Sequence, residues 1–163
     1  QHFKSRDNLV AEVLRYRRFF FEEQIKMRPI TSWEELRAWM DSFLVTQRGY
    51  KFTRGCPIGT AISALRPDQE SERQELLRLC DAARENLTKF FKTEKTEGRL
   101  KTDADTRALA NFAIACVQGG VLLNLLERKP KPGGAAIDEG FSHLRSYAIN
   151  DDREQPNFKT TLN

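Results

Sequence analysis

Three cysteines, two histidines and a scatter of carboxylates and amides are the side chains here that could do chemistry. Cys56, Cys80 and Cys116 are odd in number and form no CxxC or other metal-ligand spacing. That pattern argues against a disulfide framework and a zinc site, and it fits a reducing, cytoplasmic setting. Cys56 precedes Pro57 at an expected helix start, with Arg54 close by, and both features favour a thiolate. It reads either as a redox-sensing thiol or as a small packing residue. Two histidines give little support for His-based catalysis or metal ligation. The Gly-Cys-Pro-Ile-Gly run at 55–59 lacks the GK[ST] of a phosphate loop, and neither a Ser/His/Asp order nor HExxH occurs. Glu70, Glu72 and Glu75 read as the solvated start of a helix. The expectation is a protein that is not an enzyme and has no metal or cofactor.

Amides and aromatics carry more. Asn111 and Gln118 are seven residues apart and so share a helix face. A buried amide needs hydrogen-bond partners, either backbone groups or a small ligand. Trp39, Met40 and Phe43 on one expected helix, and Leu79, Cys80, Ala83 and Leu87 on another, supply an apolar surround. Such a set suits an apolar small-molecule pocket and equally an ordinary helical core.

The elements that must position these residues are helical throughout. Alternating β-branched runs and Asn-Gly or Asp-Gly hairpin turns are missing, whereas 3.6-residue periodicity recurs. The spacing predicts about six helices. The first runs from Arg6 to Lys26 and stops before Pro29. The second starts from a capping box at Ser32 and Glu35 and ends near Val45. A short one follows from Pro57 to Leu65. A long one runs from Gln69 to Glu97, capped by Asp68 and closed by Gly98. The fifth opens at Asp103 or Asp105 and reaches Arg128; Pro130 to Gly134 read as a linker, and the last helix covers Ala136 to Ile149. The polar tail 150–163 lacks periodicity and is expected to be loosely ordered.

Ala108 to Leu126 is 19 residues without a charge. A membrane span needs about 20 apolar residues, but Asn111, Gln118 and Asn124 interrupt this one and Gly119-Gly120 lies inside it. No membrane partner is expected. The better reading is a helix buried on more than one side, facing its own core and a second chain. Ala104, Ala108, Ala115 and Gly119 form a small-residue stripe that allows close helix approach. Paired with the last helix, it would give a four-helix interface in a homodimer. The alternative is a monomer in which the whole segment is core.

The net charge is +4, and all of it lies in residues 1–54, which hold 11 Lys/Arg and 7 Asp/Glu; residues 55–163 hold 16 of each. Charge alone is weak evidence for a nucleic-acid partner.

The opening HFKSRDNLV (2–10) resembles the end of the DNA-binding domain of TetR-family transcriptional regulators, with Arg6 where that pattern usually has Lys. RGCPIGTAISAL (54–65) is similar to a Gly-Cys-Pro/Leu-x-Gly segment of the family's ligand-binding domain, and 96–128 is similar to its turn into the penultimate helix. The resemblance covers about residues 2–149 and is nearest to the LmrA/YxaF-like drug-responsive subgroup.

The resemblance implies a remnant of a helix-turn-helix domain at 1–5, an effector-binding and dimerisation domain at 6–149, and a flexible tail. Operator DNA would be read by an N-terminal domain outside this chain, with Ser5 and Arg6 touching a phosphate in the full-length protein. A small apolar effector would lie against Phe20, Trp39, Met40, Phe43, Ile62, Leu79, Cys80, Ala83, Leu87, Asn111, Phe112, Ala115 and Gln118. The dimer interface would use Ala108, Ala115, Gly119, Leu123, Ile137, Phe141 and Leu144. Effector binding would change the spacing of the two DNA readers and release the operator, which makes the protein a repressor. Two rivals stay open: a helical interaction module with a filled core, and an enzyme using Cys56 or Cys80.

Overall fold

Five helices run through residues 28–149, the part of the chain that the computed structural model describes. They are α1 (Trp33–Gly49), α2 (Pro57–Ser63), α3 (Glu70–Thr96), α4 (Thr106–Glu127) and α5 (Lys131–Arg145). The expected helix from Arg6 to Lys26, with Ser5, Arg6 and Phe20, lies outside the described residues, as does the tail from 150. Among the described residues the only β pairing is an isolated antiparallel bridge between Leu100 and Ala148.

The helix ends follow local chemistry. Ser32 Oγ accepts the Glu35 N–H at 3.2 Å. The Glu35 carboxylate reaches one residue further back than a capping box requires, accepting from the Thr31 hydroxyl and N–H, both at 2.7 Å. Those two bonds, the hydroxyl's first, hold the Glu35 carboxyl below its usual range. α1 overruns the expected end at Val45 and continues to Gly49, its buried face extending from Leu44 to Gln47.

α3 starts at Glu70, and Asp68 pairs with Arg66 instead of serving as the expected cap. Its C-terminus is a Schellman motif: Gly98, at φ +75°, donates to Lys95 O at 3.1 Å, and Arg99 donates to Glu94 O at 2.8 Å. Asp105 caps α4, its Oδ1 accepting the N–H groups of Arg107 and Ala108 at 3.0 Å each.

The last helix departs most from expectation. It begins at Lys131, five residues before Ala136, and ends at Arg145. Pro132 fits the first helical turn, where its missing N–H costs nothing. The Gly133-Gly134 pair read as linker is buried helix. A Cβ on Gly120 of α4 would stand 3.1 Å from Gly133 Cα, and one on Gly140 would stand 2.8 Å from Cys116 Sγ. These glycines let α4 and α5 approach closely as an antiparallel pair.

The chain divides into two units, Gln1–Pro29 with Pro57–Asn86, and Ile30–Cys56 with Leu87–Asn163; α3 runs from one into the other. Within the first, Leu76 and Leu79 pack with Ile58, Ala61 and Leu65. The second holds the larger core. There Trp33 stands edge-on to Phe90, Phe91 and Phe141, with centroids 5.3, 6.0 and 6.2 Å away. Its indole N–H donates to the buried Glu94 carboxylate at 3.1 Å, which also pairs with Arg99. Met40, Leu87, Ala113, Val117 and Ile137 fill the remainder.

Candidate functional site

α4 is apolar on both sides, and among the described residues only one side is buried. Leu109, Ala110, Ala113, Val117, Gly120, Val121 and Asn124 face inward. Ala108, Phe112, Ala115, Gly119, Leu123 and Leu126 face out, with Leu122 beside them. Leu122 is 64% exposed and Leu126 78%. The Phe112 ring packs at a tilt against His143 of α5, with centroids 4.8 Å apart. Four of the expected interface residues, Ala108, Ala115, Gly119 and Leu123, thus lie on one exposed strip. The other three do not. Ile137, Phe141 and Leu144 are inside the chain's own core, because the helix stripe they form is the one that packs on α4 and α1.

A buried amide network holds that face in shape. Asn124 Nδ2 donates to Gln47 Oε1 at 3.1 Å, and Asn124 Oδ1 accepts the Gly133 N–H at 2.7 Å. Gln47 Nε2 donates to Val121 O at 2.9 Å and to Arg54 O at 3.4 Å. One pair of amides therefore ties the end of α1, the end of α4, the start of α5 and the loop after α1.

Further along α1, Arg37 donates to Asp41 at 2.8 Å and to Asp138 of α5 at 2.7 Å, with its guanidinium over the Phe141 ring. Burial works against the charge on Arg37, but the hydrogen bonds to Asp41 and Asp138 outweigh it and raise its pKa. Sequence reasoning missed Gln47, Arg37 and Asp138. The available signal was Asn124, a polar interruption of an apolar run.

The expected effector residues among those described fall in both units, and each unit is taken by itself. Met40 and Leu87 are fully buried core. Trp39 and Phe43, half-buried on α1, stand edge-to-face at 5.3 Å. Gln118 is half-buried and donates to Cys56 Sγ at 3.4 Å, so the two residues singled out for chemistry are one contact. Asn111, Phe112 and Ala115 lie on the exposed strip of α4. In the other unit, Leu79 is buried, Cys80 and Ala83 are half-buried, and Ile62 is 45% exposed.

All three cysteines are free and half-buried, and burial pushes the Cys116 thiol up. Glu72 and Glu75 correct the solvated-face reading: both are buried, and only Glu70 is exposed.

Comparison with known proteins matches this arrangement. The family described as Tetracyclin repressor-like, C-terminal domain, matches residues 32–139. No curated protein sequence matches the chain. Among solved structures, the regulatory protein TetR from Rhodobacter sphaeroides superposes with a TM-score of 0.72 at 19% identity, covering 91% of this chain and 78% of that one. A TetR transcriptional regulator from Chloroflexus aurantiacus gives 0.72 at 22% identity, covering 90% and 76%. The reduced form of Escherichia coli NemR gives 0.70 at 12% identity, covering 91% and 77%. At these identities the structures speak for the fold, and the match over 32–139 speaks for the family. The chain belongs to the tetracycline repressor-like C-terminal domain family, whose members are parts of transcriptional regulators and not enzymes.

Proposed function

We propose that this chain is the dimerisation and effector-binding part of a cytoplasmic, ligand-responsive transcriptional repressor. The observation that carries the reading is the exposed apolar strip of α4, with Leu122 64% and Leu126 78% exposed beside small residues at 108, 115 and 119. A contiguous apolar strip on a rigid helix pair is the kind of surface a second protein covers. Self-complementary pairing about a two-fold axis would place α4 and α5 of each protomer in a four-helix bundle. The outward side of α5 joins this face through His143, packed against Phe112.

The effector is a small apolar or aromatic molecule lying against Trp39, Phe43 and Gln118. Trp39 and Phe43 are partly buried against the core of that unit, and Gln118 is bonded to Cys56 there. An effector shifts the regulator only if it binds one spacing of the DNA readers better than the other. Operator DNA, read by a helix-turn-helix domain preceding this chain, is the partner, with Ser5 and Arg6 at the phosphate backbone.

The test has two arms. Light scattering after size exclusion is expected to give twice the chain mass, and Leu123→Arg the single mass with an unchanged helical spectrum. A thermal-shift screen of apolar and aromatic compounds is expected to find stabilisers whose effect disappears in Trp39→Ala or Phe43→Ala. A monomeric wild type, or stabilisation indifferent to both substitutions, contradicts the reading. The rival, an interaction module without a small ligand, draws on the complete burial of Met40 and Leu87; it predicts that no compound stabilises the chain.

A further inference from the structure

The Gln47–Asn124 network brings together two stretches whose charge is unremarkable along the sequence. Arg48, Lys51 and Arg54 follow the buried Gln47, and Arg128, Lys129 and Lys131 surround the turn between α4 and α5. All six are exposed, and none has an acidic partner among the described residues. Arg54 lies over the ring of the exposed Tyr50, 4.9 Å from its centroid. In residues 45–56 and 122–135, Glu127 is the only acid against these six cations, a net charge of +5. The other described residues of the same unit carry 8 Lys/Arg and 9 Asp/Glu.

The loop backbones fix this concentration of charge. Lys51 and Phe52 are left-handed, at φ 51° and 56°, and Arg128 ends α4 at φ 54°. The Lys129 N–H bonds back to Asn124 O at 3.3 Å, and the Phe52 N–H to Gln47 O at 2.9 Å. Both basic turns are therefore folded back onto the two amides that bind each other. A unit that is net negative elsewhere and +5 at one end orients that end toward a polyanion.

We infer that this basic pole contacts the phosphate backbone of duplex DNA without reading sequence. The inference rests on the regulator reading above, which is what supplies DNA as the polyanion. Lysine and arginine neutralising phosphates release condensed counterions, so the contact weakens steeply with salt. Such a contact would positions the sensor domain on DNA and adds affinity uniformly across sequences.

The test is fluorescence anisotropy of the 163-residue chain on a random-sequence duplex at several sodium chloride concentrations. Non-specific binding with a Kd on the order of 10⁻⁴ to 10⁻⁶ M near physiological salt is expected. Arg48→Gln/Lys51→Gln and Lys129→Gln/Lys131→Gln should each weaken it about tenfold or more at low salt and flatten the log–log salt slope by about 2. Lys89→Gln/Lys92→Gln, exposed cations on α3 removed as a charge-matched control, should leave the slope unchanged.

Equal effects from all three pairs, or no duplex binding even at low salt, would overturn the inference. So would tighter binding to polyglutamate or to anionic phosphatidylserine vesicles than to DNA. Dimer mass and effector stabilisation, which test the regulator reading, do not depend on these side chains, so the two can fail separately.

Discussion

Gly133 donates its backbone N–H to Oδ1 of Asn124 at 2.7 Å, and a Cβ on that glycine would stand 2.7 Å from Asn124 Cγ. The hydrogen bond and the missing side chain are two aspects of one contact: α5 begins where it does because its first turn is pressed onto an amide of α4. Gly133→Ala must move one of the two. Overpacking of this kind costs about 1–3 kcal/mol. Urea unfolding should show that loss, with no comparable loss for Gly49→Ala, where a Cβ would meet nothing within 4 Å.

Asn124→Leu removes more than a hydrogen bond. It strips the buried Gln47 Oε1 of its donor and the Gly133 N–H of its acceptor. Leaving buried polar groups unsatisfied costs about 1–3 kcal/mol each. The expected outcome is a drop in unfolding free energy clearly exceeding that of Gly133→Ala, together with faster amide exchange at Gly133. A neutral result would mean that water replaces the amide.

The Arg37 pair predicts an asymmetry. Its side chain is 7% exposed, whereas Asp41 and Asp138 are 34% and 37% exposed. Asp138→Ala takes a carboxylate away from a buried guanidinium, while Arg37→Met leaves carboxylates that water can reach. Asp138→Ala should therefore destabilise more than Arg37→Met in chemical denaturation, and the reverse order would contradict the account.

Glu70 gives a pH signature. Hydrogen bonds from Arg73, then from Gln74, lower its pKa to about 2. A depressed carboxyl contributes stability above the unfolded-state carboxylate range and loses it as pH falls toward the folded value. Side-chain carboxyl NMR should find Glu70 still ionised at pH 3, and Arg73→Ala should bring its titration back toward the ordinary range.

Asp105→Ala removes the acceptor for two N–H groups at the start of α4. Lost caps cost about 0.5–2 kcal/mol. Asp105→Asn should recover most of that, and Asp103→Ala should cost little, in thermal unfolding followed by circular dichroism.

Several of these features were legible in the residues alone. Ser32 and Gly98 announced helix ends, and Asp103 or Asp105 a third that Asp105 makes, because capping and left-handed closure are local and belong to particular residues. The uncharged run to Leu126 read as one helix, and it is one, with apolar residues on its exposed side as well as its buried side. Periodicity did not say which apolar stripe faces inward, since Ile137, Phe141 and Leu144 look the same as Leu122 and Leu126 until the fold chooses between them. Gly133-Gly134 read as a linker because glycine at a turn and glycine at a helix contact are identical in sequence. Gln47 and Asn124 are 77 residues apart, so no local signal joins them. The basic pole was hidden for the same reason: its two stretches become one surface only through that bond.

The bridge between Leu100 and Ala148 has a bearing on how the chain comes apart. Lys101 donates to Tyr147 O and Ile149 to Arg99 O, each at 2.9 Å, so the residues entering α4 are stitched to those leaving α5. The other end of the helix pair is held by the turn at Arg128 to Lys131 and the Asn124 amide. The hairpin is thus a closed ring of backbone, with no loose end from which to unzip. It should open as one cooperative block in native-state hydrogen exchange, its central amides protected until the unit unfolds globally, while the exposed turns of α2 exchange through local fraying.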